Sequence, residues 1–360
     1  MDSTLKTIGV FTLLLLLPVT LSAQSALNDL GFSGQFFFSY ERTFENVDVN
    51  NEFLLKRGYI TFRRDISDRV KIRFTQDVTV DQEGDGEGDI ELRLKYALVN
   101  IAMKDSRLIK NSSVEFGVVS RPWIDFEQDI NDFRSQRSMF LDYNKILSSA
   151  DYGITYAGQL GEDLPESKQT GIRSAPGRYG SFSIGVYNGG GYAALEKNNN
   201  KLIEGRLSIR PLADNLPGFQ TSFIGSFGKG NIPESPDFSM GALALSYETQ
   251  KWIGILQGFT GTGDAAGNFV DQNVDPIDLN GWSLFNEFKP FDFPVSLTFR
   301  FDELNNRDQS EWHTRKFVTG LAYVFSNRSK IILDYDRSWY NEVGGSRAVD
   351  TIEIITEIRF

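Results

Sequence analysis

The chain has no cysteine and a single histidine, His313, in 360 residues. Without cysteine there is no disulfide framework, so an exported chain of this kind must be closed in some other way. One histidine nearly removes His-based catalysis and His-ligated metal from consideration. Long apolar runs are missing after the N-terminus. A helical membrane protein would need several, each of about twenty residues. Proline is sparse, at 11. Positive charge is in deficit: the formal net charge is −11, which argues against nucleic acid as a partner.

What the chain does have is aromatic residues. They make up 13% of it, with 29 Phe and 13 Tyr, alongside 33 Gly. Its first residues read as a signal peptide over 1–23. Lys6 gives the positive start, Ile8 to Leu17 the short apolar core, and Leu21-Ser22-Ala23 the small-residue cleavage site. The apolar core is too short to span a bilayer, so export and cleavage before Gln24 are expected.

After Gln24 the pattern is alternation with period two, the mark of strands with two different faces. Phe36, Phe38 and Tyr40 share one face, and Gln35, Ser39 and Glu41 the other. Ile90, Leu92, Leu94, Tyr96 and Leu98 oppose Glu91, Arg93, Lys95 and Ala97. Val295, Leu297, Phe299 and Phe301 oppose Ser296, Thr298, Arg300 and Asp302. Strands are expected near 53–65, 70–80, 114–118, 151–160, 181–187, 202–210, 219–228, 239–249, 252–262, 281–289, 316–325, 329–338 and 351–360 as well. The total is about sixteen, an even number that suits a closed antiparallel transmembrane barrel. A ten-residue strand tilted ~45° covers ~23 Å, close to the apolar band of an outer membrane. Backbone polar groups in lipid must pair internally, which a closed sheet achieves. Connections alternate in length: 66–69, 250–251, 289–294 and 326–327 are short, whereas 188–201, 263–280, 303–315 and 339–350 are long. The stretch 161–180 is too long for its place in that scheme. The alternative architecture is a soluble β-sandwich, which would hide about half of the aromatics.

One stretch departs from alternation. Ser120 to Ser149 runs roughly thirty residues without a strand pattern, longer than an ordinary connection. It mixes Trp123, Phe126, Phe133, Phe140 and Tyr143 with Asp125, Glu127, Asp129, Asp132, Arg134 and Arg137. Such a segment suits the inside of a water-filled barrel, one side on the wall and the other in the lumen, as a constriction loop over 120–149.

The chain resembles the phosphate-selective porin O/P family, in particular its Bacteroidetes members. The resemblance is carried by Lys56-Arg57-Gly58-Tyr59 before the turn at Ser67-Asp68, by Gly117-Val118-Val119-Ser120-Arg121-Pro122-Trp123-Ile124, and by Ser149-Ala150-Asp151-Tyr152-Gly153. It implies an outer-membrane β-barrel over 24–360 with an inward-folded third loop. In that family phosphate preference is tied to an arginine ladder and a lysine cluster, and this chain carries part of such a set.

With the face of Phe360 outward, the pore-lining candidates are Arg57, Arg63, Lys71, Arg73, Arg93, Lys95 and Arg121, joined from the loop by Asp125, Glu127, Arg134 and Arg137. The last strands carry Asp302, Asp334, Asp336, Glu353 and Glu357. Opposed rows of charge across a narrow gap would set up a transverse field. The final Phe360 is the expected signal for the barrel-assembly machinery. Asp271 to Asp275 begins like a calcium loop, but Pro276 stands where the sharp turn needs Gly. No metal or cofactor is implied. The expected partners are outer-membrane lipid and small hydrophilic solutes or anions, with a homotrimer as the assembly. The leading reading is a passive diffusion channel. The alternatives are a closed-lumen barrel with a surface-binding or structural role, and a hydrolase barrel for which His313 would be the only imidazole.

Overall fold

A computed structural model describes residues 30–45, 48–81, 86–290, 292–309, 312–342 and 345–360. The signal-peptide reading and part of the acidic 81–89 connection lie outside them. Sixteen antiparallel strands close into one barrel, each paired with its neighbours in sequence and β1 with β16. They are β1 (Gly31–Glu45), β2 (Asp48–Ser67), β3 (Val70–Val80), β4 (Ile90–Ala102), β5 (Ile109–Ser120), β6 (Ala150–Leu160), β7 (Gly180–Tyr187) and β8 (Leu202–Ile209). The other half is β9 (Phe219–Lys229), β10 (Asp237–Glu248), β11 (Trp252–Thr262), β12 (Asp278–Phe288), β13 (Val295–Asn306), β14 (His313–Val324), β15 (Lys330–Glu342) and β16 (Gly345–Arg359). Three short helices sit in connections: α1 (Pro122–Ile130), α2 (Phe140–Tyr143) and α3 (Glu166–Gln169).

Alternation sorts the side chains as expected. Phe116, Ile154, Phe223, Leu243, Leu297, Leu333 and Ile354 are exposed on the outside, whereas Ser208, Ser222, Ser296, Lys316 and Glu353 are buried on the inside. An apolar outer belt around a closed sheet is what an outer-membrane barrel requires, and this is where the chain resides. The seam is closed by the last residue. Phe360 donates its N–H to Gly34 O (3.1 Å) and accepts from Gly34 N–H (2.9 Å). Its ring stacks on Phe36 and lies against Phe32, at 6.3 and 5.8 Å. Gly34 lies beneath that ring, and a Cβ there would collide with it.

Three expectations need correction. The connections around 303–315 and 339–350 are not long, because β13 and β14 pair as far as Asn305 opposite His313, and β15 and β16 as far as Glu342 opposite Gly345. Charged residues such as Arg315 and Arg347 hid those strand ends from an apolar pattern. The long 161–179 connection reflects no register error. It is a built segment at the end of the barrel that carries the termini, with α3 and a bridge between Asp163 and Gly177. Finally, Tyr96 and Leu98 face inward, not outward with Ile90 and Leu92. The register between β3 and β4 shifts between Thr75 and Gln76, leaving Lys95 as an extra residue. A bulge of this kind flips the phase of everything beyond it.

Candidate functional site: the lumen

Residues 121–149 connect β5 to β6 and lie against the inner wall. Pro122 starts α1 at a position where its missing N–H costs nothing, and the Trp123 N–H at the same end donates to Glu204 Oε1 (3.2 Å). The helix is amphipathic: Trp123, Ile124, Phe126, Glu127 and Ile130 are buried, while Asp125 and Asp129 are exposed. The buried side, continued by Phe133, Met139, Phe140 and Leu141, forms one apolar cluster with Met240, Ile255, Phe259 and Phe285 of β10 to β12. Burying each large apolar side chain contributes about 1.5–3 kcal/mol, so this packing is the main force seating the segment. Polar anchors fix its position. Trp123 Nε1–H donates to Gln257 (3.1 Å), Ser135 to Glu357 (2.9 Å), and Arg300 to the Ser138 carbonyl (2.7 Å).

The acidic wall of the last strands is used up by these anchors. Asp334 accepts from Gln136, Asp336 pairs with Arg137 at 2.5 Å, Asp302 with Arg300 at 2.7 Å, and Glu353 with Lys56 at 2.5 Å. Glu357 is shared by Ser135 and Lys330. All five carboxylates are buried, so the expected transverse field does not come from them. The side of the gap opposite β2 to β4 is the loop itself, which offers Asp125, Asp129 and Asp142.

The candidate residues therefore divide. Arg121 is 0% exposed, bonded through Nε to Glu204 Oε2 (2.8 Å) and 3.8 Å from Asp151. It ties down the start of the loop rather than lining water. Arg137 is spent on Asp336, and Glu127 points into the wall, accepting from Gln257 Nε2 (2.6 Å). Burial pushes the Glu127 carboxyl up to about 7. Lys71 lies at the rim near the termini, 3.6 Å from Asp65. Arg57 and Arg93 share one buried carboxylate, Asp77, at 2.8 and 2.9 Å. Arg63, Arg73, Lys95 and Arg134 have no carboxylate within 4.0 Å among the described residues.

Three of these cations lie on aromatic rings, which the sequence pattern did not single out. The Arg73 guanidinium is 3.9 Å from the Tyr96 ring centre, and Arg134 is 4.2 Å from that of Tyr59. The Lys95 amine, on a side chain only 3% exposed, stands 4.8 Å from Tyr59 and 5.7 Å from both Tyr96 and Tyr192. Tyr192 comes from the 188–201 connection and donates its hydroxyl to Asp77 (2.6 Å). Bulges make the set possible: one turns Lys95 and Tyr96 inward together, and another, between Phe37 and Phe38 of β1, does the same for Lys56 and Arg57. The fragment Lys56-Arg57-Gly58-Tyr59 was visible in the sequence, but its inward pair was not.

Two water-accessible chambers meet here. One of about 560 Å³ lies toward the termini and is lined by Arg63, Arg73, Asp125, Asp129 and Arg173. The other, about 250 Å³, lies toward the loop end and is lined by Lys56, Arg57, Asp142 and Tyr192. Both are lined by Tyr59, Lys95, Gln128 and Arg134.

No protein-family model matches the sequence, and no curated protein matches it. Solved structures do match in fold. An in-vitro folded OmpT of Vibrio cholerae, an outer membrane protein in trimer form, has a TM-score of 0.56 at 11% identity over 91% of this chain and 99% of that one. An anion-selective porin from Comamonas acidovorans has a TM-score of 0.57 at 12% identity, over 91% and 99%. The outer membrane channel DcaP of Acinetobacter baumannii has 0.58 at 9% identity, over 92% and 97%.

Proposed function

We propose that this chain is a non-enzymatic diffusion porin of the phosphate-selective O/P type, passing small hydrophilic solutes with a preference for anions, with residues 120–149 as its constriction loop. The observation that carries this reading is the junction of the two chambers at Tyr59, Lys95, Gln128 and Arg134. The loop's acidic wall partners are buried, and the open side carries cations with no carboxylate within 4.0 Å among the described residues, so the local potential favours anions. The porins and channels of like fold support a channel, and the trimer form of OmpT supports a trimeric assembly. His313, the single imidazole of the sequence, bonds Asn341 (2.9 Å) in the paired ends of β14 and β15.

Planar-bilayer recordings test the proposal. Stepwise conductance is expected, with a reversal potential under a salt gradient that indicates anion preference. Low salt should sharpen the preference, because the Debye length grows from ~8 Å near physiological salt to ~30 Å at 0.01 M. The Lys95→Glu/Arg134→Glu double variant should shift the reversal potential toward cations. Absence of conductance from correctly folded barrel would sink the channel; an unmoved reversal potential would sink the filter.

A further inference from the structure

A separate cavity of about 390 Å³ opens at the loop end of the barrel, beside α2. Four rings stand in its walls: Tyr143 of α2, Phe269 of the 263–277 connection, Trp312 just before β14, and Tyr340 of β15. Phe269 and Trp312 meet edge-on, with centres 6.2 Å apart and planes at 76°. The volume lies within the range of small-ligand sites. A flat apolar body placed among these rings would leave water favourably and gain edge-to-face contacts.

The charges around the cavity do not cancel. Asp302 is held by Arg300 at 2.7 Å, Arg315 by Glu303 at 3.0 Å, and Arg347 by Glu45 at 2.9 Å. Lys145 and Lys316 also line it, and neither has a carboxylate within 4.0 Å among the described residues. Lys316 is 6% exposed; its amine bonds the Tyr143 hydroxyl and stands 4.1 Å from that ring's centre. A neutral hydroxyl and a ring face are weaker partners for a buried ammonium than an anion is. The cavity thus combines four rings with two lysines that have no carboxylate within 4.0 Å among the described residues. Tyr143 also lines the chamber that leads to Lys95 and Arg134.

We propose that this cavity binds small aromatic carboxylates, ring among Phe269, Trp312 and Tyr340 and carboxylate on Lys316, as a saturable first stop on the way into the lumen. The route, though not the binding, rests on the channel reading. A sugar acid fits less well between the rings: a pyranose presents hydroxyls all round, and those facing Phe269, Trp312 and Tyr340 would be left unpaired.

The test uses the full barrel folded in detergent, with labelled benzoate in equilibrium dialysis and glucuronate as competitor. Saturable benzoate binding is expected, weakened roughly tenfold or more by Lys316→Gln through loss of the charged bond, and weakened also by Trp312→Ala. Phe269→Leu serves if the Trp312 variant does not fold. In bilayers, benzoate added on the loop side should interrupt the current in the parent and not in Lys316→Gln. Equal binding by parent and Lys316→Gln, or glucuronate displacing benzoate at lower concentration than benzoate itself, overturns the assignment. A barrel that binds benzoate but carries no current refutes the channel and leaves the site standing. One that conducts without binding benzoate refutes the site alone.

Discussion

Asp129 shows how a side chain on the lumen face can carry a switch. Its carboxyl is open to the chamber, but the enclosing walls disfavour its charged form and Asp125 and Glu248 add repulsion, so its pKa is pushed up to about 7. A carboxyl raised in this way contributes stability in full below the ordinary carboxylate range, and the contribution is lost as pH rises through about 7. The same titration changes the pore charge. Asp129 lines the chamber that holds Arg73 and Arg134, so its ionisation offsets them. Anion preference should therefore grow as pH falls from about 8 to about 6, read as a shift in reversal potential, and Asp129→Asn should flatten the dependence. A parent whose selectivity is constant over this interval would show that Asp129 does not face the ion path. The sequence placed this residue on the loop, and helical spacing with Asp125 puts both on one side. Its environment depends on Glu248, more than a hundred residues away, and no local pattern reveals that.

The loop from 121 to 149 is held by a buried ionic knot as well as by its apolar face. Arg121 joins Glu204 of β8, its N–H reaches the Ser149 carbonyl (3.2 Å), and Asp151 accepts from the Gly189 N–H (2.8 Å). Removing one partner of a buried pair costs about 3–5 kcal/mol, because the other charge is left stranded. Arg121→Leu should therefore unseat the loop, giving larger, noisier conductance and protease cleavage within 121–149, while the sixteen paired strands persist. Arg121→Leu/Glu204→Leu should recover part of the loss, since both charges leave together. Equal protease resistance in parent and single variant would mean that the apolar cluster alone holds the loop. The need to fold inward was legible in the mixed composition of this stretch. The division of its charges was not: Arg121, Arg134 and Arg137 look alike in sequence, yet one is buried in the knot, one lies over the Tyr59 ring, and one binds Asp336.

Closure of the whole barrel depends on the meeting of its first and last strands. Gln35 to Glu45 pair with Arg359 to Val349, and Phe360 caps the seam over Gly34. We expect Phe360→Ala to slow insertion into the outer membrane and prolong exposure to periplasmic proteases, measured by pulse-chase of the folded fraction. Gly34→Val should act similarly by displacing the ring. Insertion of both variants at the parent's rate would remove Phe360 from assembly and leave only its packing role. Ion pairs such as Lys56–Glu353 and Arg347–Glu45 cross the same seam.

Period-two alternation by itself determined the strands, the apolar outside and the polar inside, because a side chain's face follows from its parity in a regular strand. It also determined that the stretch between β5 and β6, residues 121–149, forms no strand. Parity fails where a bulge adds a residue, which is why Lys56, Tyr96 and Leu98 needed the structure. Nor does parity say which inward charge meets water. That depends on partners brought together only by closing the barrel: Glu353 on Lys56, Asp77 between Arg57 and Arg93, and Asp336 on Arg137. A charge with a close counter-ion contributes little to the field in the pore, and one without contributes fully. The sequence supplies the charges, but only the closed barrel decides which of them remain uncompensated.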